Sequence, residues 1–294
     1  MIENIKPVSR LTNGLFQACL LLLVLFHGAC NNQKKETKTP ALYDLNNPEK
    51  FNMPASLLEI SGICFYKGNM DTIYGIQDEE GKLFRLAWGN KKQSNSKFGK
   101  KGDYEDVALV RDKVFVLKSN GTLFSFAKED AVYEEVDSVM EWKGIVPVGE
   151  YEGLYGDEGT GKLYVLCKNC DGDIEADKVS GFILDAGETI SVSSVFSINV
   201  AEIKPFGGKV KSGFRPSGLA KNPVTGEWFI LSGANKLLVI TDANWKVKEA
   251  YPLDGNIFLQ AEGIAFDASG NIYISNEGDD LANGNILKFV RGGK

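Results

Sequence analysis

The 294-residue chain contains one histidine, His27. It falls in an N-terminal stretch that reads as a cleaved signal, so the mature protein carries none. That excludes histidine triads, histidine acid–base catalysis and histidine-ligated zinc. Positive charge is in deficit, with 33 Lys and Arg against 39 Asp and Glu and a formal net charge of −6. This balance argues against a nucleic-acid binder that works by neutralising phosphates. No P-loop, dinucleotide fingerprint or G-x-S-x-G motif occurs. Ser61 and Ser217 have no histidine to activate them, which argues against a serine hydrolase. A long helical periodicity is also missing. What remains is 43% hydrophobic and 24% charged, with 32 Gly against 9 Pro, the make-up of a folded domain rather than a disordered, collagenous or multispan chain.

Lys6 and Arg10 precede an apolar run over 15–26, which ends at His27-Gly28-Ala29-Cys30. A basic start, a short apolar stretch and small residues before a cleavage point make a secretory signal. The run is shorter than the roughly 20 apolar residues of a membrane span. Gly28-Ala29-Cys30 resembles the bacterial lipobox, with His27 where Leu is usual. The reading is a lipoprotein signal over 1–29, lipidation of Cys30, a polar tether over 30–41 and one folded domain over 42–294. Lipidated Cys30 would then anchor a monomer to the bilayer of the cell envelope. The lack of an acidic run over 31–40 favours the periplasmic side.

Five copies of one pattern follow. Each opens on a short apolar strand holding a Ser or Glu followed by Gly or Asp: Ile60-Ser61-Gly62-Ile63, Tyr104-Glu105-Asp106-Val107, Tyr151-Glu152-Gly153-Leu154, Pro216-Ser217-Gly218-Leu219 and Ala261-Glu262-Gly263-Ile264. Successive openings are 44, 47, 65 and 45 residues apart. Second strands over 73–76, 114–117, 163–166, 228–231 and 272–275 carry an aromatic at their second position: Tyr74, Phe115, Tyr164, Phe229 and Tyr273. Turn residues such as Ser119-Asn120-Gly121 lead into third strands. Fourth strands are weaker and more polar, as over 247–252.

A period near 45 residues built from four short strands predicts an all-β fold, a β-propeller of four-stranded blades. Five repeats are counted. The 65-residue interval leaves two possibilities, an irregular sixth blade or a loop over one mouth containing Lys204, Lys209 and Lys211. The last copy stops after its third strand, so an N-terminal strand, with 43–45 as the candidate, is expected to close the ring.

These openings, with Leu58-Glu59 before the first, Asp103 before the second, Phe214-Arg215 before the fourth and Ser275-Asn276-Glu277-Gly278 near the end, resemble the SdiA-regulated (YjiK-type) family of bacterial envelope β-propellers. That family is distantly similar to calcium-dependent phytases. The resemblance implies a propeller with an acidic, calcium-binding centre; the phytase relatives are six-bladed.

In a propeller the first strand of each blade lines the channel, so the repeated slot becomes a ring around the axis. The slot holds Ser61, Glu105, Glu152, Ser217 and Glu262, with Glu59, Asp103 and Asp106 nearby and Asp78, Glu79 and Glu277 at second-strand ends. In an extended strand Asp103 and Glu105 share a face and Asp106 takes the other. Converging carboxylates are raised in pKa unless a cation sits among them. Hard oxygen donors without histidine favour Ca²⁺. The candidate metal ligands are therefore Glu59, Asp78, Asp103, Glu105, Glu152, Glu262 and Glu277. The plainer reading is that glycines at 62, 153, 218 and 263 answer crowding at the axis, and that the acids pair with Lys118, Lys168 or Arg215.

Three functions follow from this reading. One is a calcium-binding propeller with an envelope or ion-related role and no catalytic residue. Another is a phytase-like phosphohydrolase with Lys168 and Arg215 holding substrate phosphate. The last is a metal-free scaffold for protein or glycan. Of the five cysteines, Cys19 lies in the signal, Cys64 reads as an inert core thiol, and Cys167 with Cys170 reads as a local disulfide, with free thiols the alternative. Asp171-Gly172-Asp173 lacks the later ligands of an EF-hand and reads as a blade loop.

Overall fold

The computed structural model describes residue 1 and residues 37–292, except 209 and 211. Most of the expected signal, with Cys19 and His27, the expected lipidation site Cys30, most of the expected tether, and Lys209 and Lys211 thus lie outside the described residues. Among the described residues no helix is long and apolar enough to cross a membrane.

The chain begins its sheets with β1 (Glu49–Asn52), which is paired last. Four four-stranded antiparallel sheets follow in strict chain order: β2 (Ile60–Tyr66), β3 (Asn69–Gln77), β4 (Lys82–Leu86) and β5 (Gln93–Lys97); β6 (Tyr104–Val110), β7 (Lys113–Lys118), β8 (Leu123–Ala127) and β9 (Met140–Trp142); β10 (Gly149–Asp157), β11 (Lys162–Cys170), β12 (Lys178–Ala186) and β13 (Ile190–Asn199); β14 (Gly218–Lys221), β15 (Trp228–Ser232), β16 (Leu237–Thr241) and β17 (Val247–Pro252). The fifth sheet runs β1-β20-β19-β18, from β18 (Ala261–Phe266), β19 (Ile272–Asn276), β20 (Asn285–Phe289) and the early strand β1. The protein is therefore a five-bladed propeller, closed by a strand from the N-terminal side.

The count of five repeats holds, and one expectation is corrected. Among the described residues, the long interval between the third and fourth openings holds no sixth blade. It is filled by the extended outer pair β12–β13 and two short 3₁₀ turns, Val200–Glu202 and Lys204–Phe206. The closing strand is not 43–45. Tyr43 and Leu45 are 2% exposed and pack as core side chains. The Tyr43 hydroxyl donates to the Gly270 carbonyl at 2.8 Å and accepts from Asn222 Nδ2 at 3.0 Å, which holds the segment as a plug rather than a strand. Closure falls to β1, where Phe51 pairs with Ile286 and Glu49 with Lys288, the last pair joined by a 3.1 Å ion pair. The segment before the plug is tied as well, by Thr37 Oγ1 donating to Asn46 Oδ1 at 2.8 Å.

Alternation decides what each strand buries. Along an inner strand, successive side chains enter opposite inter-blade spaces. Ile63 and Phe65 pack toward the fifth blade beside Tyr273, whereas Cys64 packs toward the second beside Leu109. Five apolar clusters result, one per blade interface. Each fully buried Leu, Ile or Phe contributes about 1.5–3 kcal/mol. The third-to-fourth interface carries an aromatic stack. Trp245 lies 3.6 Å from Phe196 and 4.5 Å from Trp228, centroid to centroid, with nearly parallel planes. Its φ of 68° is a costly conformation for a bulky residue, and the stack holds it there.

At the axis, backbones meet. A Cβ on Gly62 would lie 2.2 Å from Asp106 Oδ1 and 2.5 Å from Asp106 Cα, and one on Gly263 would lie 2.7 Å from the Ser61 carbonyl oxygen. Gly62→Ala is expected to cost about 3 kcal/mol or more through overpacking. Gly255→Ala, which meets nothing within 4 Å, should stay within about 0.5 kcal/mol of wild type. Urea denaturation of the two variants checks both.

Candidate functional site

All five inner strands, β2, β6, β10, β14 and β18, start at one end of the channel, and the second strands finish there. Every acidic residue marked by the repeat lies at this mouth. Glu105, Glu152 and Glu262 stand on β6, β10 and β18; Glu59 and Asp103 immediately precede β2 and β6; Asp78 and Glu277 immediately follow β3 and β19.

The acids act on one another. Burial, then the charges of Glu152 and Asp103, push Glu105 up to about 9. Burial, then Glu152 and Glu277, push Glu262 up to about 8. Asp78, Glu277 and Glu59 are also raised, first by burial and then by neighbouring carboxylates. These are the shifts expected of anions crowded in a half-buried site.

Lysines offset part of this charge: Lys101 pairs with Glu79 at 3.6 Å beside Asp78, and Lys168 is the most embedded of them. Lys168 on β11 pairs with Glu150 at 3.1 Å and with Glu152 through a short contact. Burial opposes the Lys168 charge, but Glu152 and Glu150 outweigh it and hold its pKa above the ordinary lysine value. Glu152 is 6% exposed, and its burial keeps it raised in spite of that pairing. Lys168 thus divides the mouth. On its side lie Glu150, Glu152 and Glu105. On the other lie Glu59, Asp78 and Glu277, with no ion pair among the described residues. Asp78 Oδ1 is buried there without any hydrogen-bond partner. Glu277 accepts from Gln260 Nε2 at 2.8 Å.

The donor set fits a hard cation in kind. Carboxylates face one mouth and one buried oxygen is unsatisfied, but among the described residues no three of these acids bring donor oxygens within 4.8 Å of one another. It is not a closed cage. Among the described residues, the one trio of potential ligands with donor atoms within 4.8 Å of one another is Cys167, Cys170 and Asp173. That trio offers no thiolate, because Cys167 and Cys170 are joined in a disulfide, with a Cα–Cα distance of 6.1 Å. Asp173 is engaged by Ser180, whose hydroxyl donates at 2.7 Å and whose backbone N–H donates at 2.8 Å.

Arg215 is exposed in the loop before β14 and lines a narrow cleft together with Lys168. The cleft measures about 10 Å³, the space of roughly one water. Lys204 is spent on Asp177 at 3.0 Å.

The two serine slots and Asp106 serve the frame. The Ser217 hydroxyl donates to the Ala261 carbonyl at 2.7 Å, tying the fourth blade to the fifth. Ser275, which the repeat pattern does not mark, donates to the Ser61 carbonyl at 2.5 Å and accepts from the Gly263 N–H at 2.9 Å, tying the fifth blade to the first. Asp106 occupies the slot that is glycine in the other four blades. Its oxygens accept from Val107 N at 2.8 Å and Leu154 N at 2.7 Å, bridging the second blade to the third.

Comparison with known proteins agrees with the repeat motifs. The family model described as SdiA-regulated matches residues 215–280. This is the family the motifs resemble. None of the curated proteins compared matches the chain. Among solved structures, glutaminyl cyclase from Myxococcus xanthus is similar at 14% identity and a TM-score of 0.54, over 82% of this chain and 94% of that one. A nidogen/laminin complex matches at 14% identity and a TM-score of 0.47, over 74% and 72%. A structural genomics protein of unknown function from Bacteroides thetaiotaomicron matches at 10% identity and a TM-score of 0.47, over 83% and 72%. At such identities the likeness is one of fold.

The raised acids set a pH dependence. Glu105 and Glu262 keep their protons in the folded chain well above the ordinary glutamate value of 4.5, so the folded state binds more protons than the unfolded one. Their contribution is complete below about pH 4.5 and is lost as pH rises through about 8 and 9. In chelator-treated buffer the Tm should fall over that window, and Glu105→Gln should flatten part of the fall; thermal melts at stepped pH measure it.

Proposed function

We propose that this protein is an envelope-anchored binding propeller whose acidic mouth takes up a divalent cation, Ca²⁺ by the chemistry of its donors. The observation that carries the reading is the buried, unpartnered Asp78 Oδ1 beside Glu59 and Glu277, in the half of the mouth that Lys168 does not neutralise. That one oxygen is shielded from water without a hydrogen bond, a cost that a bound cation would offset. Glu59, Asp78 and Glu277 would hold the ion, with Glu262 adjoining. Asp103, Glu105 and Glu152 belong to the Lys168 side and would feel the ion through the shared field. When bound, the ion would supply positive charge and open coordination positions to an anionic or hydroxyl-bearing partner.

The phosphohydrolase reading has less support. It requires Lys168 and Arg215 to grip a phosphoryl group, yet Lys168 is committed to Glu150 and Glu152 and the cleft it shares with Arg215 holds about one water. A metal-free scaffold is what failure of the cation reading would leave.

Calcium at about a hundred times its Kd should stabilise the native state by about 2.7 kcal/mol, seen as a rise in Tm that a chelator reverses. Asp78→Asn with Glu277→Gln should abolish the rise, while leaving the Tm in chelator equal to or above that of wild type. An unchanged Tm and no heat on calorimetric titration with CaCl₂ would refute the reading.

The anchor is inferred from Gly28-Ala29-Cys30. Cells fed an alkyne fatty acid should label the wild-type protein and not the Cys30→Ser variant. Label on both would refute lipidation at this position.

A further inference from the structure

The opposite end of the channel has a different character. There the inner strands enclose a cavity of about 330 Å³ on the axis, lined by all five blades. This is within the range of small-molecule sites, roughly 300–1,000 Å³. Four of the five blades contribute a small residue to its lining at the same register, two positions beyond the glycine slot. These are Cys64, Ala108, Ala220 and Ala265, and only Tyr155 is large.

The walls carry no free charge. Asp106, just behind the lining residue Val107, spends both oxygens on backbone N–H groups. At the rim Lys67 pairs with Glu158 at 3.4 Å, and Lys221 pairs with Asp157 at 3.4 Å. Asp267 accepts from the N–H groups of Ser269 and Asn271, both at 2.9 Å, and from Asn271 Nδ2 at 2.7 Å. A charged ligand would find no unmatched partner and would lose hydration on entry. An apolar one would release water from the Ile, Val, Leu, Ala and Phe side chains that line most of the wall, while the rim stays polar.

From this geometry we propose that the cavity is a binding site for a neutral, largely apolar small molecule. It is independent of the cation reading, since it lies at the other mouth and shares no residue with the acidic ring.

The test uses the full-length protein and the neutral fluorophore N-phenyl-1-naphthylamine. Saturable binding with one site per chain and a blue-shifted emission is expected. Ala220→Leu and Ala265→Leu, which narrow the cavity from two different blades, should each weaken the dye at least tenfold while keeping a cooperative melt. Should either variant fail to fold, hydrogen exchange on the wild-type protein decides the matter. The dye should slow exchange in peptides covering 63–68 and 264–268 and leave those covering 190–199 unchanged. The proposal is overturned by any of three results: no saturable binding, full dye affinity in a folded narrowing variant, or protection absent from the cavity peptides.

Discussion

The structure depends on how closely five inner strands can approach one axis. Where Gly62 faces Asp106 and Gly263 faces Ser61, there is no room for a Cβ. Van der Waals packing at that distance is steep, so a single methyl group is opposed by backbone that cannot move without moving a blade. The close approach also brings backbone polar groups of neighbouring blades within hydrogen-bond reach. Asp106, Ser217 and Ser275 use it to tie the second blade to the third, the fourth to the fifth and the fifth to the first. Small residues set the distance and short polar side chains fasten it.

The same waist separates two unlike spaces. On one side of it the strand starts present carboxylates that raise each other's pKa. On the other, small apolar residues leave a chamber without an unmatched charge. A channel of one character throughout would be a solvated pore or a filled core. The alternation of register along each strand, together with the glycine slot between the two regions, produces a polar mouth and an apolar one from the same five segments.

The blades were legible because the repeat carries its own register. A slot recurring about every 45 residues, followed by a second strand with an aromatic at a fixed place, defines a four-stranded unit from sequence alone. The closing strand was not legible. Residues 43–45 alternate apolar and polar as a strand would, while β1 buries only Phe51 of its four residues and so shows almost no pattern. The deciding contact, Tyr43 to Gly270 and Asn222, spans most of the chain. Asp106 was legible in part. Strand alternation put it on the face opposite Asp103 and Glu105, and it occupies a glycine slot and faces backbone. That departure from the repeat was the signal for its structural role. Ser275 was visible as part of a second strand and of a motif, but its tie to Ser61, like the axial cavity, left no local trace, because each is defined by what a different blade brings opposite it.

Lys168 is the residue through which frame and site meet. It stands at the second-strand end that corresponds to Asp78 in the first blade and Glu277 in the fifth, so one repeat position carries opposite charges in different blades. Lysine there adds one positive charge to the mouth, where aspartate or glutamate would add one more negative charge to acids that already raise one another. One lysine among them satisfies Glu150 and Glu152 and leaves the imbalance at Glu59, Asp78 and Glu277, the far side of the same mouth. The pairing is asymmetric: Glu150 and Glu152 have a lysine, Glu59, Asp78 and Glu277 have no ion pair among the described residues, and Glu105 and Glu262 stay raised between them. On the proposed cation reading, a pseudo-fivefold frame would thereby gain one directional site, with Glu59, Asp78 and Glu277 as its wall.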